Sequence, residues 1–151
     1  MSNLRRPVIA GNWKMNGLVA DGEALVSELV SKMSAVENSE FDMLVCPPFT
    51  LLSKIGDIVN KSGVSLGAQD CHTAESGAHT GDISPAMLKD LGCECVIVGH
   101  SERRTDHEET DELVRAKAEA VTAAGMFAII CVGETEAQRD AGETIAVVRN
   151  Q

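Results

Sequence analysis

The sequence predicts an α/β protein in which parallel strands each feed a helix. Short apolar runs rich in Val and Ile recur along the chain, and most are continuous rather than alternating, as in strands buried on both faces. Segments with apolar residues three and four positions apart separate them. Polar clusters introduced by glycine or proline follow several of the runs, where parallel α/β proteins hold reactive groups at strand carboxyl ends.

Taken in order, Pro7 to Ala10 is a first strand stopped by Gly11, followed by the polar cluster Asn12-Trp13-Lys14-Met15-Asn16-Gly17. Leu25, Leu29, Val30 and Met33 recur at helical spacing, with Asp21 or Gly22 opening that helix. Met43 to Cys46 is a second strand, halted by Pro47-Pro48, and Phe49 to Val59 is helical, closed by Ser62-Gly63. Val64 to Gln69 is the third strand. Asp70 to Ser84 lacks apolar periodicity, and so long a loop in a compact domain is usually functional or partner-bound. Ser84-Pro85 then opens a short helix running to Gly92. Glu94 to Val98 is strand four, Asp111 to Ala124 an alanine-rich helix closed by Gly125, and Met126 to Val132 strand five. Glu136 to Arg139 forms a helical turn, and Thr144 to Gln151 begins a further helix. No linker or low-complexity stretch interrupts residues 1–151, which are expected to form a single domain.

Composition narrows the function. Apolar residues make up 44% and charged residues 24% of the 151, an ordinary globular balance. The net charge of −10 argues against nucleic acid, whose phosphates need a basic surface, but leaves room for a small anion in a locally positive pocket. No apolar run is long enough to span a membrane, and none after Arg5-Arg6 makes a signal peptide, so a cytoplasmic protein is expected. The five cysteines, odd in number and mostly within apolar runs, are expected to be reduced thiols. Cys93 and Cys95, two apart on one strand, are expected to face the same way. Cys71 and His72 with His79 lack a fourth ligand at a zinc spacing, so no metal is expected, and no cofactor.

The most informative stretch is Val96-Ile97-Val98-Gly99-His100-Ser101-Glu102-Arg103-Arg104. A buried strand breaks at glycine and delivers an imidazole, a hydroxyl, a carboxylate and two guanidiniums within one turn. This cluster and Asn12-Trp13-Lys14-Met15-Asn16 together resemble the triosephosphate isomerase family. Cys46-Pro47-Pro48-Phe49, Gly77-Ala78-His79-Thr80-Gly81 and Cys131-Val132-Gly133-Glu134-Thr135 extend the resemblance in the same order along the whole chain. It implies the units of a TIM barrel, an α/β fold of eight strands and about 250 residues. This chain is thus expected to be an incomplete barrel of about five strands, ending in the helix after strand five.

The resemblance also implies the chemistry, an enediolate isomerisation between glyceraldehyde 3-phosphate and dihydroxyacetone phosphate in glycolysis. His100 matches the family's electrophile, a neutral imidazole at a helix start. Lys14 matches the catalytic and substrate-binding cation, and Asn12 a second substrate-binding donor. Ser101 and Glu102 match supporting residues. The residues alone also fit a solvated Lys14, an Asn12 serving only its turn, and a Glu102 answering Arg103 or Arg104 on the surface. The family's carbon base lies on a sixth strand, and Glu134 does not match it. The 151 residues alone are therefore expected to be inactive, the alternative being a non-catalytic oligomeric fragment or phosphate-binding remnant. The expected ligand is triose phosphate or another small anion. By resemblance the Asp70 to Ser84 loop, with Thr80 at its tip, inserts into a neighbouring subunit. A homo-oligomer is expected through that loop and exposed sheet edges, with an open doubly wound sheet as the alternative.

Overall fold

A computed structural model describes residues 5–36 and 39–151. Its elements alternate: β1 (Val8–Asn12), α1 (Val19–Ser34), β2 (Asp42–Cys46), a 3₁₀ turn (Phe49–Leu51), α2 (Leu52–Val59), β3 (Val64–Ala68), α3 (Pro85–Asp90) and β4 (Cys93–Val98). Then come α4 (Ser101–Asp106), α5 (Asp111–Ala123), β5 (Phe127–Ile130), α6 (Glu136–Asp140) and α7 (Thr144–Asn150). The strands form one sheet in chain order β1-β2-β3-β4-β5, every neighbouring pair parallel. The result is a curled half-barrel, α/β in class, made of the parallel βα units expected from the sequence.

Local signals place most helix starts. Ser84 Oγ accepts the Met87 N–H with Pro85 next in line, Thr110 Oγ1 accepts the Leu113 N–H, and Thr135 forms a capping box with Gln138. The start of α1 departs from expectation. The helix begins at Val19 with no side-chain cap, and Gly22 lies inside it. A Cβ on Gly22 would stand 3.2 Å from both Leu51 Cδ1 and Trp13 Cζ3, so this glycine permits close packing rather than opening a helix.

Gly11 does not stop the first strand. It pairs with Val45 and carries the ladder on to Asn12, opposite Cys46, so Asn12 is itself a strand residue. The expectation that Cys93 and Cys95 face the same way also fails. The register slips between the Leu66–Cys93 and Gly67–Cys95 pairs. Cys93 therefore packs in the helix-side core and Cys95 on the opposite face.

The main core lies between sheet and helices, around Val26, Leu52, Ile55, Leu66, Leu88, Val96, Val114 and Val121. The inner face holds Leu44, Cys46, Cys95 and Ile97, with Ile129 and Cys131 against them. Each edge strand has one neighbour, and its apolar side chains stand open: Val8 is 52% exposed and Ile130 53%. Among the described residues no helix is long and apolar enough to cross a membrane.

Candidate active site

The site forms where the turns after β1 and β4 meet at the carboxyl end of the sheet. Lys14 has a left-handed backbone, φ 53°, which costs a non-glycine residue energy unless neighbours hold it. Asn12 Oδ1 accepts the Lys14 N–H at 2.9 Å. Gln69, just past β3, donates from Nε2 to the carbonyls of Lys14 and Cys46, both at 2.9 Å. Three strand ends thus converge on one lysine.

The second turn needs its glycine. Gly99 has φ +67°, and a Cβ there would lie 2.6 Å from Val114 Cγ1. The chain then turns directly into α4 with His100 as its N-cap. His100 Nδ1 accepts the Glu102 N–H at 3.3 Å and also lies 3.4 Å from Glu102 Oε2. One nitrogen cannot be acceptor to the amide and donor to the carboxylate at once. The amide is an end-of-helix donor that needs a partner, whereas the carboxylate already has a cation, so the cap is the better assignment. A ring accepting at Nδ1 carries its proton on Nε2 and keeps that N–H as a donor.

That cation is Lys14, whose Nζ lies 2.6 Å from Glu102 Oε1. The hydrogen bond from Lys14 holds the Glu102 carboxyl below the usual carboxylate range. Asn12, Lys14, His100 and Glu102 line a single cleft together with Gln69 and Arg103. Ser101, the first residue of α4, is exposed.

Beneath α4 lies a charge network. Arg103 Nε is 2.9 Å from Asp70 Oδ2 and 2.6 Å from Glu109 Oε1. Lys117 Nζ, from α5, is 2.8 Å from Asp70 Oδ1 and 2.5 Å from Glu109 Oε1. Asp70, Glu109 and Lys117 are all buried. Arg104 ties the same turn outward, donating to the Gly99 and Cys131 carbonyls and pairing with Asp111 at 2.6 Å. Glu102 therefore answers Lys14, while both arginines serve the scaffold. Gln69, Asp70, Glu109 and Lys117 escape the sequence reading. One trace was available: Lys117 sits within the apolar stripe of Val114, Ala118 and Val121, an unusual place for a lysine without a buried partner.

Glu134 is bound by Arg139 at 2.7 Å and by Thr144 at 3.2 Å, with its side chain 7% exposed. Cys71 and Cys93 are buried, and burial pushes each thiol up to about 12. All five cysteines are free thiols.

These features define a class, a piece of a parallel β/α barrel with lysine, histidine and carboxylate gathered at its strand carboxyl ends. The family model described as triosephosphate isomerase matches residues 7–151. Triosephosphate isomerase from Bradyrhizobium diazoefficiens is 52% identical over 151 residues, covering 100% of this chain and 59% of its own length. That from Gluconacetobacter diazotrophicus is 54% identical over 139 residues, 92% of this chain and 56% of its own. The crystal structure of triosephosphate isomerase from Bartonella henselae superposes with a TM-score of 0.89 at 44% identity, covering 97% of this chain and 59% of that one. The chain belongs to the triosephosphate isomerase family and spans about three-fifths of the length of these relatives.

Proposed function

We propose that residues 1–151 form one partial barrel domain supplying the electrophilic half of a triose-phosphate isomerase site, and that alone they turn over no substrate. The reaction is the glycolytic interconversion of glyceraldehyde 3-phosphate and dihydroxyacetone phosphate. The observation that carries this is the 2.6 Å Lys14–Glu102 contact, which binds the β1 and β4 turns together with His100 beside them.

In this reading His100 donates its Nε2–H to the substrate carbonyl oxygen as negative charge gathers there. The Lys14 ammonium stabilises the enediolate and the phosphate. Asn12, its Oδ1 committed to the Lys14 amide, offers its NH₂ to the substrate oxygen. Glu102 and Ser101 support the turn, with Glu102 steadying Lys14. The carbon base belongs, by resemblance, to a strand beyond β5. Glu134 is no substitute, being held by Arg139 and Thr144.

The open apolar edges at Val8, Ile9, Phe127 and Ile130 favour association, so the chain works as a homo-oligomer using these edges and the 70–84 loop. Unpaired cysteines suit a reducing cytoplasm.

A coupled assay with glyceraldehyde 3-phosphate tests the proposal. The chain alone gives no turnover above background. Adding the C-terminal part of the Bradyrhizobium relative restores turnover, and His100→Gln removes it again. Turnover by the lone chain overturns the inactivity. Failure of both restoration and sugar-phosphate binding overturns the site. A monomeric mass at micromolar concentration in analytical ultracentrifugation overturns the oligomer.

A further inference from the structure

We propose that Cys46 and Cys95 form a two-coordinate site for Cu⁺ on the inner face of the sheet, bridging over Gly67. Gly67 pairs with Cys95, and the preceding Leu66 pairs with Val45, so Cys46, Gly67 and Cys95 lie in one row across β2, β3 and β4. Both thiols lean over the glycine. The position a Gly67 Cβ would take is 2.5 Å from Cys95 Sγ and 2.8 Å from Cys46 Sγ. Laid end to end, those distances hold the sulfurs no more than about 5.3 Å apart.

Two features of the fold bring the pair together. The register slip before Gly67 turns Cys95 to this face, away from Cys93 in the helix-side core. Gly67 then keeps the space between the sulfurs free of a side chain. Neither feature shows in the spacing of cysteines along the chain, so the expectation of no metal, drawn from spacing, does not reach this pair.

Geometry selects the ion. Two strand spacings put the Cα atoms of Cys46 and Cys95 about 9 Å apart, beyond the roughly 7 Å that a disulfide spans. An ion between the sulfurs lengthens the bridge by one atom. Metal–thiolate bonds of about 2.3 Å place two sulfurs about 4.6 Å apart on opposite sides of it, inside the limit that Gly67 sets. Structural Zn²⁺ takes four donors, whereas the side chains clustered with the pair are Leu44, Ile97, Ile129 and Cys131. Two thiolates in apolar surroundings suit a soft monovalent ion, which Cu⁺ is.

In the empty site Cys95 is a thiol, pushed up by a hydrogen bond with Cys46 and by burial. Binding forms two S–Cu bonds, releases both S–H protons and changes no oxidation state. Both side chains are 0% exposed, so the ion enters as the chain folds or as the inner face opens. Neither thiol lines the isomerase cleft, and β2 and β4 are interior strands, clear of the open edges and of the 70–84 loop. The test is therefore independent of turnover and of association.

The experiment refolds the full chain from urea, without oxygen, in the presence of Cu⁺ alone, and then competes for the metal with the chelator bicinchoninate. One Cu⁺ retained per chain is expected, with X-ray absorption giving two sulfur neighbours. In carbon NMR of labelled cysteines the Cβ signals of Cys46 and Cys95 shift, while those of Cys71 and Cys93 stay. Affinity falls about a hundredfold or more in Cys46→Ser and in Cys95→Ala, beyond what changes outside the ligand shell cause, and is unchanged in Cys71→Ala. No retained Cu⁺ overturns the proposal. So do nitrogen or oxygen neighbours, shifts at Cys71 and Cys93 in place of the pair, or affinity unmoved by both ligand variants. The wild-type spectra decide the matter even if a variant misfolds.

Discussion

Lys14 Nζ and Glu102 Oε1 stand 2.6 Å apart although 88 residues separate them along the chain. Each side chain is 51% exposed, so solvent screens the pair and it contributes little to stability. Its effect is positional, since it sets where the one ammonium of the β1 turn points. Glu102→Gln is therefore expected to leave the urea midpoint unchanged while increasing the motion of the Lys14 ammonium, read by NMR relaxation. The Lys14 hydrogen bond lowers the Glu102 pKa, so acid breaks the pair only below the ordinary carboxylate range. A shifted urea midpoint, or an ammonium as ordered in the variant as in the parent, defeats this account.

Much of this site was legible because its groups sit next to one another in sequence. Asn12 and Lys14 occupy one turn, and His100 and Glu102 another, each after a recognisable strand. Their meeting follows from parallel topology, which sends every strand's carboxyl end to one side of the sheet. What the sequence hid depends on distance or on a single extra residue. Gln69 acts through its amide on a carbonyl 55 positions away. The slip that turns Cys93 and Cys95 to opposite faces adds one residue to a strand whose apolar pattern gives no sign of it. Asp70 and Lys117 stand 47 residues apart, and only Lys117 leaves a sign, as a lysine in an apolar stripe.

Gly67 marks the tightest packing of the inner face. A Cβ there would stand 2.5 Å from Cys95 Sγ and 2.8 Å from Cys46 Sγ, closer than such atoms approach. Gly67→Ala is expected to cost about 1–3 kcal/mol, the usual range for overpacking. Urea denaturation measures it. Combining it with Cys95→Ala removes one of the two clashes, so the double variant loses less than the sum of the single losses. Strict additivity would count against a clash at that sulfur.

Lys117 is the only lysine in the network under α4, and its side chain is 7% exposed. Lys117→Met removes one of two cations shared by Asp70 and Glu109, leaving two buried carboxylates on Arg103. Breaking a buried pair in this way costs about 3–5 kcal/mol, far above an exposed pair. Because Arg103 lies in α4, behind His100, the variant should also loosen the His100 turn. Faster amide exchange at Ser101 and Glu102, alongside a lowered urea midpoint, is the expected pairing. A stable variant with unchanged exchange would falsify the network's structural role.

The same network fixes how the fold responds to acid, because its two carboxyls shift in opposite directions. Burial raises the Glu109 pKa, but hydrogen bonds from Lys117 and Arg103 outweigh it and leave the group lowered. Burial also raises Asp70, and there the Lys117 hydrogen bond does not fully compensate. The geometry agrees: both cations approach Glu109 Oε1 within 2.6 Å, while their contacts to Asp70 are 2.8 to 2.9 Å. Lowering Glu109 contributes stability that is present above the ordinary carboxylate value and lost as pH falls through the depressed one. Asp70 has the reverse sign. Between the ordinary value and its raised one, the native state binds the proton more tightly, so stability falls as pH rises through that window. On acidification the protonation of Asp70 should therefore cost no stability, and the network should weaken only as Glu109 takes its proton. Carboxyl carbon NMR, with urea midpoints at each pH, follows both steps. In Asp70→Asn the Asp70 step should vanish while the Glu109 step remains, and stability lost as Asp70 takes its proton would contradict the assignment.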